Sequence, residues 1–264
     1  MPIDLILKIA IPPVLVALMS LAARRWGATV GGLIMGLPWM TGPVLYFLAL
    51  TKGDAFAIKA CLGIELAVIG MGAFLLAYGA MSRLAPWPVC LALAMLGYFG
   101  TAWFTQALDL DVWIAALLGA ASLIATFLLL PKPKTAAAPG ALPWWDIPAR
   151  MACVFALVAG IMTGADVLGP QRSGILASYP VILTVIGSFT HHQWGRDAVL
   201  RVLRGIALSL LGFVGFFVVI AYGVPVLGLN ASFGLAAMTA IASSALLLAF
   251  NGWQGRRAKR HELR

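Results

Sequence analysis

The chain has 264 residues, 62% of them hydrophobic and only 10% charged, with a formal net charge of +9 and a mean hydropathy of +0.99. These values exclude a soluble domain and point to an all-α polytopic membrane protein. The cations fall between apolar runs, where they act as topology signals, so the basic balance does not indicate nucleic acid.

About nine transmembrane helices are predicted, at residues 3–23, 30–50, 55–81, 87–106, 112–130, 147–165, 173–191, 198–222 and 232–250. The first run is apolar from Ile3, and Arg24 and Arg25 follow it. A cleavable signal peptide has the reverse charge order, so this run reads as a retained helix with its N-terminus outside. The second carries GGLIMGLPWMTGP at residues 31–43, with Pro38 inside it. The third contains Glu65, a carboxylate about 15 Å into the helix. After the fourth and fifth comes a Pro-, Ala- and Lys-rich linker. The seventh carries SGILASYPVILTV at residues 173–185, with Pro180 inside it. Arg201 and Arg204 begin the eighth, where they read as snorkelling or lipid-phosphate groups, and Thr239, Ser243 and Ser244 form a small polar stripe on the ninth.

An N-terminus outside and a C-terminus in the cytoplasm place Arg24, Arg25, Arg83, Lys132, Lys134, Arg150, Arg196 and the tail cations inside, and chiefly Lys52 and Arg172 outside. Trp26, Trp87, Trp144, Trp145, Trp194 and Trp253 then fall at the cytoplasmic boundary, as an aromatic belt. The expected location is a bacterial inner (plasma) membrane, with membrane lipids as partners and a homodimer as one possible assembly.

Shifted by about 142 residues, the chain aligns with itself: Asp4 meets Asp146, Pro38 meets Pro180, Gly53 meets Gly195, and Gly63 meets Gly205. The pairs Asp4–Lys8 and Asp146–Arg150 share the favourable acid-then-base spacing on a helix. Five spans precede the second copy, so two inverted repeats are expected. The predicted organisation is a first repeat of five helices at 1–131, a cytoplasmic linker at 132–145, a second repeat of four helices at 146–251, and a basic tail at 252–264.

A proline in a membrane helix removes one donor and frees the carbonyl four residues earlier, a group that lipid cannot satisfy. Two such breaks at matching positions point to a solute or ion site near the midplane. The candidate substrate-binding residues are Gly36, Pro38, Trp39, Thr41, Ser178, Tyr179, Pro180 and Thr184, and Glu65 is the candidate ion-coupling group. An ionisable side chain so deep is costly unless protonated, paired or hydrated. The structural alternatives are two kinks re-satisfied by neighbouring helices and a neutral, hydrogen-bonded Glu65. Cys61, Cys90 and Cys153 read as buried small hydrophobes rather than disulfide or metal ligands. No zinc HExxH, GxSxG or phosphate-loop motif is present, so no catalytic residue, metal ligand or cofactor is predicted.

With its repeat and two proline-bearing spans, the chain resembles the inverted-repeat secondary transporters with crossed, broken helices, which include sodium–proton antiporters and bile-acid-type symporters. The resemblance implies a secondary active transporter of a small organic solute, proton- or sodium-coupled, working by alternating access around helices two and seven. The alternatives are a lipid flippase or lipid-binding membrane protein, a non-transporting membrane subunit, and an intramembrane enzyme.

Overall fold

The computed structural model describes residues 3–39, 41–105, 107–108, 110–134, 143–168 and 179–262. Its elements are α1 (Ile3–Trp26), α2 (Ala28–Met35), α3 (Thr41–Lys52), α4 (Asp54–Met81), α5 (Trp87–Thr105), α6 (Val112–Leu129), α7 (Asp146–Leu168), α8 (Val181–Leu227) and α9 (Leu229–Glu262). Among the described residues, 6 helices are long and apolar enough to cross a bilayer. The chain is therefore a helical integral membrane protein.

That number differs from nine for local reasons. The predicted second span is divided into α2 and α3, of 8 and 12 residues, each too short to cross alone. The predicted seventh and eighth spans fall within α8, whose 47 residues would extend about 70 Å if straight. Gly195 interrupts it with φ 77° and ψ −177°, dividing it into two arms. The first predicted span is one helix, α1, with Pro12 and Pro13 in its middle, and it is not among the six. The predicted start of the seventh span, Ser178 included, lies outside the described residues.

Single glycines make the sharpest junctions. Gly27 joins α1 to α2, Gly53 joins α3 to α4, Gly195 joins the arms of α8, and Gly228 joins α8 to α9. All four have φ between 76° and 90° with extended ψ, a region essentially closed to other residues.

α4 and α8 form the centre: 50% of the apolar window of each is buried, against 17–33% in the other four. The surrounding helices turn large apolar side chains outward, among them Leu96, Trp103, Leu128, Phe155 and Met238. In a membrane protein these are lipid contacts. Cys61 and Cys90 are buried, but Cys153 sits on this outer surface, contrary to expectation. It lies one residue before buried Val154, so its own face of α7 points outward.

Packing directions follow from specific contacts. Arg24, near the end of α1, bonds to Asp146 at the start of α7, while Pro12 and Val158 farther along wall the same cavity. The two helices therefore run oppositely. Gly79, near the end of α4, lies against Leu200 and Leu203 of α8, and Ala67 meets the same cavity as Leu210. α4 and the second arm of α8 are likewise antiparallel.

Candidate functional site

Pro38 stops α2 because it cannot donate to the Ile34 carbonyl. The chain turns tightly around it: Trp39 N–H donates to the Leu37 carbonyl at 2.8 Å, and Gly42 N–H donates to the Pro38 carbonyl at 3.0 Å, which starts α3. Pro180 repeats this arrangement. Val181 N–H donates to the Tyr179 carbonyl at 2.8 Å and Thr184 N–H to the Pro180 carbonyl at 3.0 Å. With φ −77° and ψ 69°, Pro180 occupies the inverse γ-turn minimum, a common start to an element.

The freed carbonyls of the first break find partners within the protein. The Trp39 indole Nε1–H donates to the Ile34 carbonyl at 2.7 Å, as does Leu37 N–H at 3.2 Å. The Ser209 hydroxyl, from the second arm of α8, donates to the Leu33 carbonyl. Ser209 is fully buried. It reaches its acceptor because Gly36 has no side chain: a Cβ there would stand 2.4 Å from Ser209 Cβ.

Both breaks wall one cavity of about 460 Å³, enclosed by α1, the α2–α3 break, α4, α7 and α8. Its size is that of a small-molecule site. Of the predicted residues, Gly36, Trp39, Thr41, Tyr179 and Pro180 line it. Pro38 and Thr184 stand behind the lining. Thr184 Oγ1 donates to the Tyr179 hydroxyl at 2.7 Å and is thereby turned from the cavity toward its neighbour. The Tyr179 ring is fixed by stacking on Phe99, with centroids 5.4 Å apart and planes 3° from parallel, and by edge contacts with Phe74 and Tyr98. Ser178 lies outside the described residues.

The wall is otherwise apolar. Met19, Met35, Met71 and Met162 come from four different helices. Methionine is flexible and polarizable, so such a wall adapts to the shape of an apolar guest. Trp39, Thr41 and Tyr179 carry its polar side-chain atoms among the described lining residues, and none of these is a carboxylate or an ammonium. Trp39 and Val44, which line it, are 46% and 39% exposed, so the cavity is open at that end.

Glu65 is not brought to this cavity. It is fully buried on α4, and neither carboxyl oxygen has a hydrogen-bond partner among the described residues. Ile64, Ala67 and Met71 supply the cavity face of α4. Glu65 lies on the next face round, with Val68, against which Gly119 of α6 packs. The predicted solute and coupling groups therefore occupy two faces of one helix.

Other polar side chains have structural partners. Arg204 donates to the Phe127 and Leu130 carbonyls at 2.9 and 2.8 Å and stacks over the Phe127 ring. It caps α6 rather than meeting lipid phosphate. His191 lies 3.4 Å from the Tyr78 hydroxyl, and His192 rests on Trp87. Ser243 lies against Gly212, so the polar stripe of α9 is a helix contact. The sequence reading missed Ser209 and the four methionines, and it paired Asp146 with Arg150 without seeing Arg24 join them. No protein-family model, curated protein or solved structure matches the chain.

Proposed function

We propose that the chain is a membrane transporter of a small organic solute, operating by alternating access around its two proline breaks. The observation that carries this reading is that both breaks wall one cavity. The repeated turn geometry at Pro38 and Pro180, and the antiparallel packing of α1 with α7 and of α4 with the second arm of α8, support two inverted repeats as its frame. Rocking one unit against the other would expose the cavity to each side in turn. The lining favours an uncharged solute with a large apolar surface.

In this reading Glu65 couples transport to a proton or sodium ion through α4. One face of the helix touches solute and the adjacent face carries the carboxyl, so a shift of the helix changes both environments. A carboxylate without partners in an apolar wall is strongly disfavoured, which ties its charge state to helix position.

Two experiments test this. In a cysteine-free background, Met71→Cys and Leu183→Cys are treated with a membrane-impermeant thiol reagent in oriented proteoliposomes. Alternating access predicts modification from both sides, whereas labelling confined to one side under every condition excludes it. Glu65→Gln should abolish uptake driven by an imposed pH gradient; unchanged coupled uptake removes Glu65 from the mechanism.

The exposed rim at Trp39 and Val44 favours a second reading, in which the passenger is a lipid or lipid-like amphiphile entering sideways. Native mass spectrometry separates the two: a lipid retained by the wild type and lost in Trp39→Ala selects the second.

A further inference from the structure

The surroundings of Glu65 discriminate between the two ions it could couple. Its carboxyl is fully buried on α4, and neither oxygen has a hydrogen-bond partner among the described residues. Hard cations are held by several oxygens at once. Transporters draw such oxygens for sodium from the carbonyls of unwound helices. A proton needs one carboxyl oxygen and nothing more.

The helices packed around Glu65 do not supply an oxygen cage. α4 and α6 run unbroken over Asp54–Met81 and Val112–Leu129, so their carbonyls here serve their own helical ladders. α6 brings Gly119 against the Glu65 main chain, between buried Ala115, Ala116 and Leu123. The carbonyls freed at the first proline break are taken: Leu33 accepts from Ser209, and Ile34 from Trp39 and Leu37. Among the described residues, no three His, Cys, Asp or Glu side chains group to hold a metal ion.

Charged and titratable groups of the same helices are engaged elsewhere. On α4, Asp54 and Lys59 are exposed near its start, and Tyr78 meets His191 of α8 near its end. Cys61, one turn before Glu65, is a buried free thiol. α3 carries Tyr46, whose hydroxyl donates to Asn230, and Lys52, which lies over the Phe56 ring. α5 sets Tyr98 against Gly70 and has no titratable residue from 99 to 105. α6 has none after its cap Asp111, which accepts from Trp113 and Tyr222. The second arm of α8 holds Arg204 on the Phe127 and Leu130 carbonyls and has none from 205 to 221.

We propose that the ion coupled at Glu65 is a proton and not sodium, with the buried carboxyl as the neutral acid. The inference rests on the coupling role given to Glu65 above. When α4 carries the group to water, the O–H bond breaks, the proton passes to a water molecule, and the electron pair stays on the carboxylate. Uptake of a proton from water restores the neutral acid. The anion has no cation or donor to accompany it into the apolar wall, so α4 returns only when the proton is back.

The full chain in detergent tests this with dicyclohexylcarbodiimide, an apolar reagent that adds to protonated carboxyls. The adduct on the Glu65 peptide is read by mass spectrometry, with Glu65→Gln as the blank. Wild type should form the adduct at acid pH and lose it about tenfold per pH unit once the carboxyl ionises. At fixed pH the yield should be equal in sodium chloride and choline chloride. Suppression by sodium, no adduct at acid pH, or a yield that never declines with pH would each overturn the proposal. The assay needs no transport, so its failure is distinct from failure of the coupling role. Sodium protection would replace the ion and leave that role standing. Unchanged pH-driven uptake in Glu65→Gln would remove the role and leave the protonation result standing.

Discussion

Substituting alanine for Gly36 isolates the contact that closes the first break. Gly36 has φ −82° and ψ −1°, a conformation open to alanine, so the backbone itself does not resist. The obstacle is α8: the new methyl would stand 2.4 Å from Ser209 Cβ, 2.5 Å from its Oγ and 2.9 Å from its carbonyl carbon. Two of these belong to the Cβ and backbone of a packed helix, so α2 and α8 must separate, and the Ser209 bond to the Leu33 carbonyl lengthens or breaks. Overpacking of this kind costs about 1–3 kcal/mol. Loss of the buried hydrogen bond adds roughly another 1 kcal/mol. Gly63 supplies the opposite case, since it is helical, exposed and has open space around its Cβ direction. Gly63→Ala should be neutral or stabilise by about 0.5–1 kcal/mol from helix propensity. Reversible unfolding in mixed micelles gives both values. The double variant Gly36→Ala/Ser209→Gly should recover part of the loss, with a coupling energy beyond the roughly 0.3–0.5 kcal/mol expected of independent sites. A Gly36→Ala variant as stable as wild type, or strictly additive with Ser209→Gly, would refute the argument.

Four further outcomes follow from other residues. Gly53→Ala and Gly195→Ala should each cost about 1–3 kcal/mol through backbone strain, because among the described residues no atom beyond the chain neighbours lies within 4 Å of either new methyl; unfolding midpoints measure it. Asp146→Asn leaves Arg24 and Arg150 facing each other without their carboxylate and should cost about 3–5 kcal/mol, read by thermal unfolding or by lost expression. Glu65→Met removes two unpartnered oxygens from an apolar wall and should stabilise the fold by about 1–3 kcal/mol in the same assay. Asp111 caps α6 by accepting from Trp113 N–H at 2.8 Å and also from the Tyr222 hydroxyl at 2.9 Å. These bonds hold its carboxyl below the ordinary range, chiefly through Trp113. The stabilisation is complete above the ordinary carboxylate pKa and is lost as pH falls through the lowered one. Asp111→Asn should therefore flatten the acid side of the unfolding-midpoint profile.

The proline breaks were legible because the absence of an N–H is a property of one residue. Their repair was not: Ser209 lies 176 positions from Leu33 and is one hydroxyl in an otherwise apolar run. Depth along a helix can be counted, so Glu65 was correctly placed deep and buried. Its direction could not, because α4 is apolar all round and offers no polar face to fix the rotation. Hydropathy merged α2 and α3 into one span, since it registers apolar length but not hydrogen-bond continuity. A cation near a helix end reads as a lipid contact from sequence alone, yet Arg204 meets carbonyls at the end of α6, whose positions only folding supplies. The same holds for Arg24, whose acid lies 122 residues away.

The four one-residue junctions leave no slack between the rods they connect. A rod joined to its neighbour through a single peptide unit cannot drift; it can only pivot about two torsions. Inserting one helical residue just after Gly53 or Gly195 would roll the faces of the following rod by about 100° relative to the corner, carrying inward side chains toward lipid. Length at these corners is thus as tightly constrained as composition, and movement across them is restricted to the swinging of whole rods.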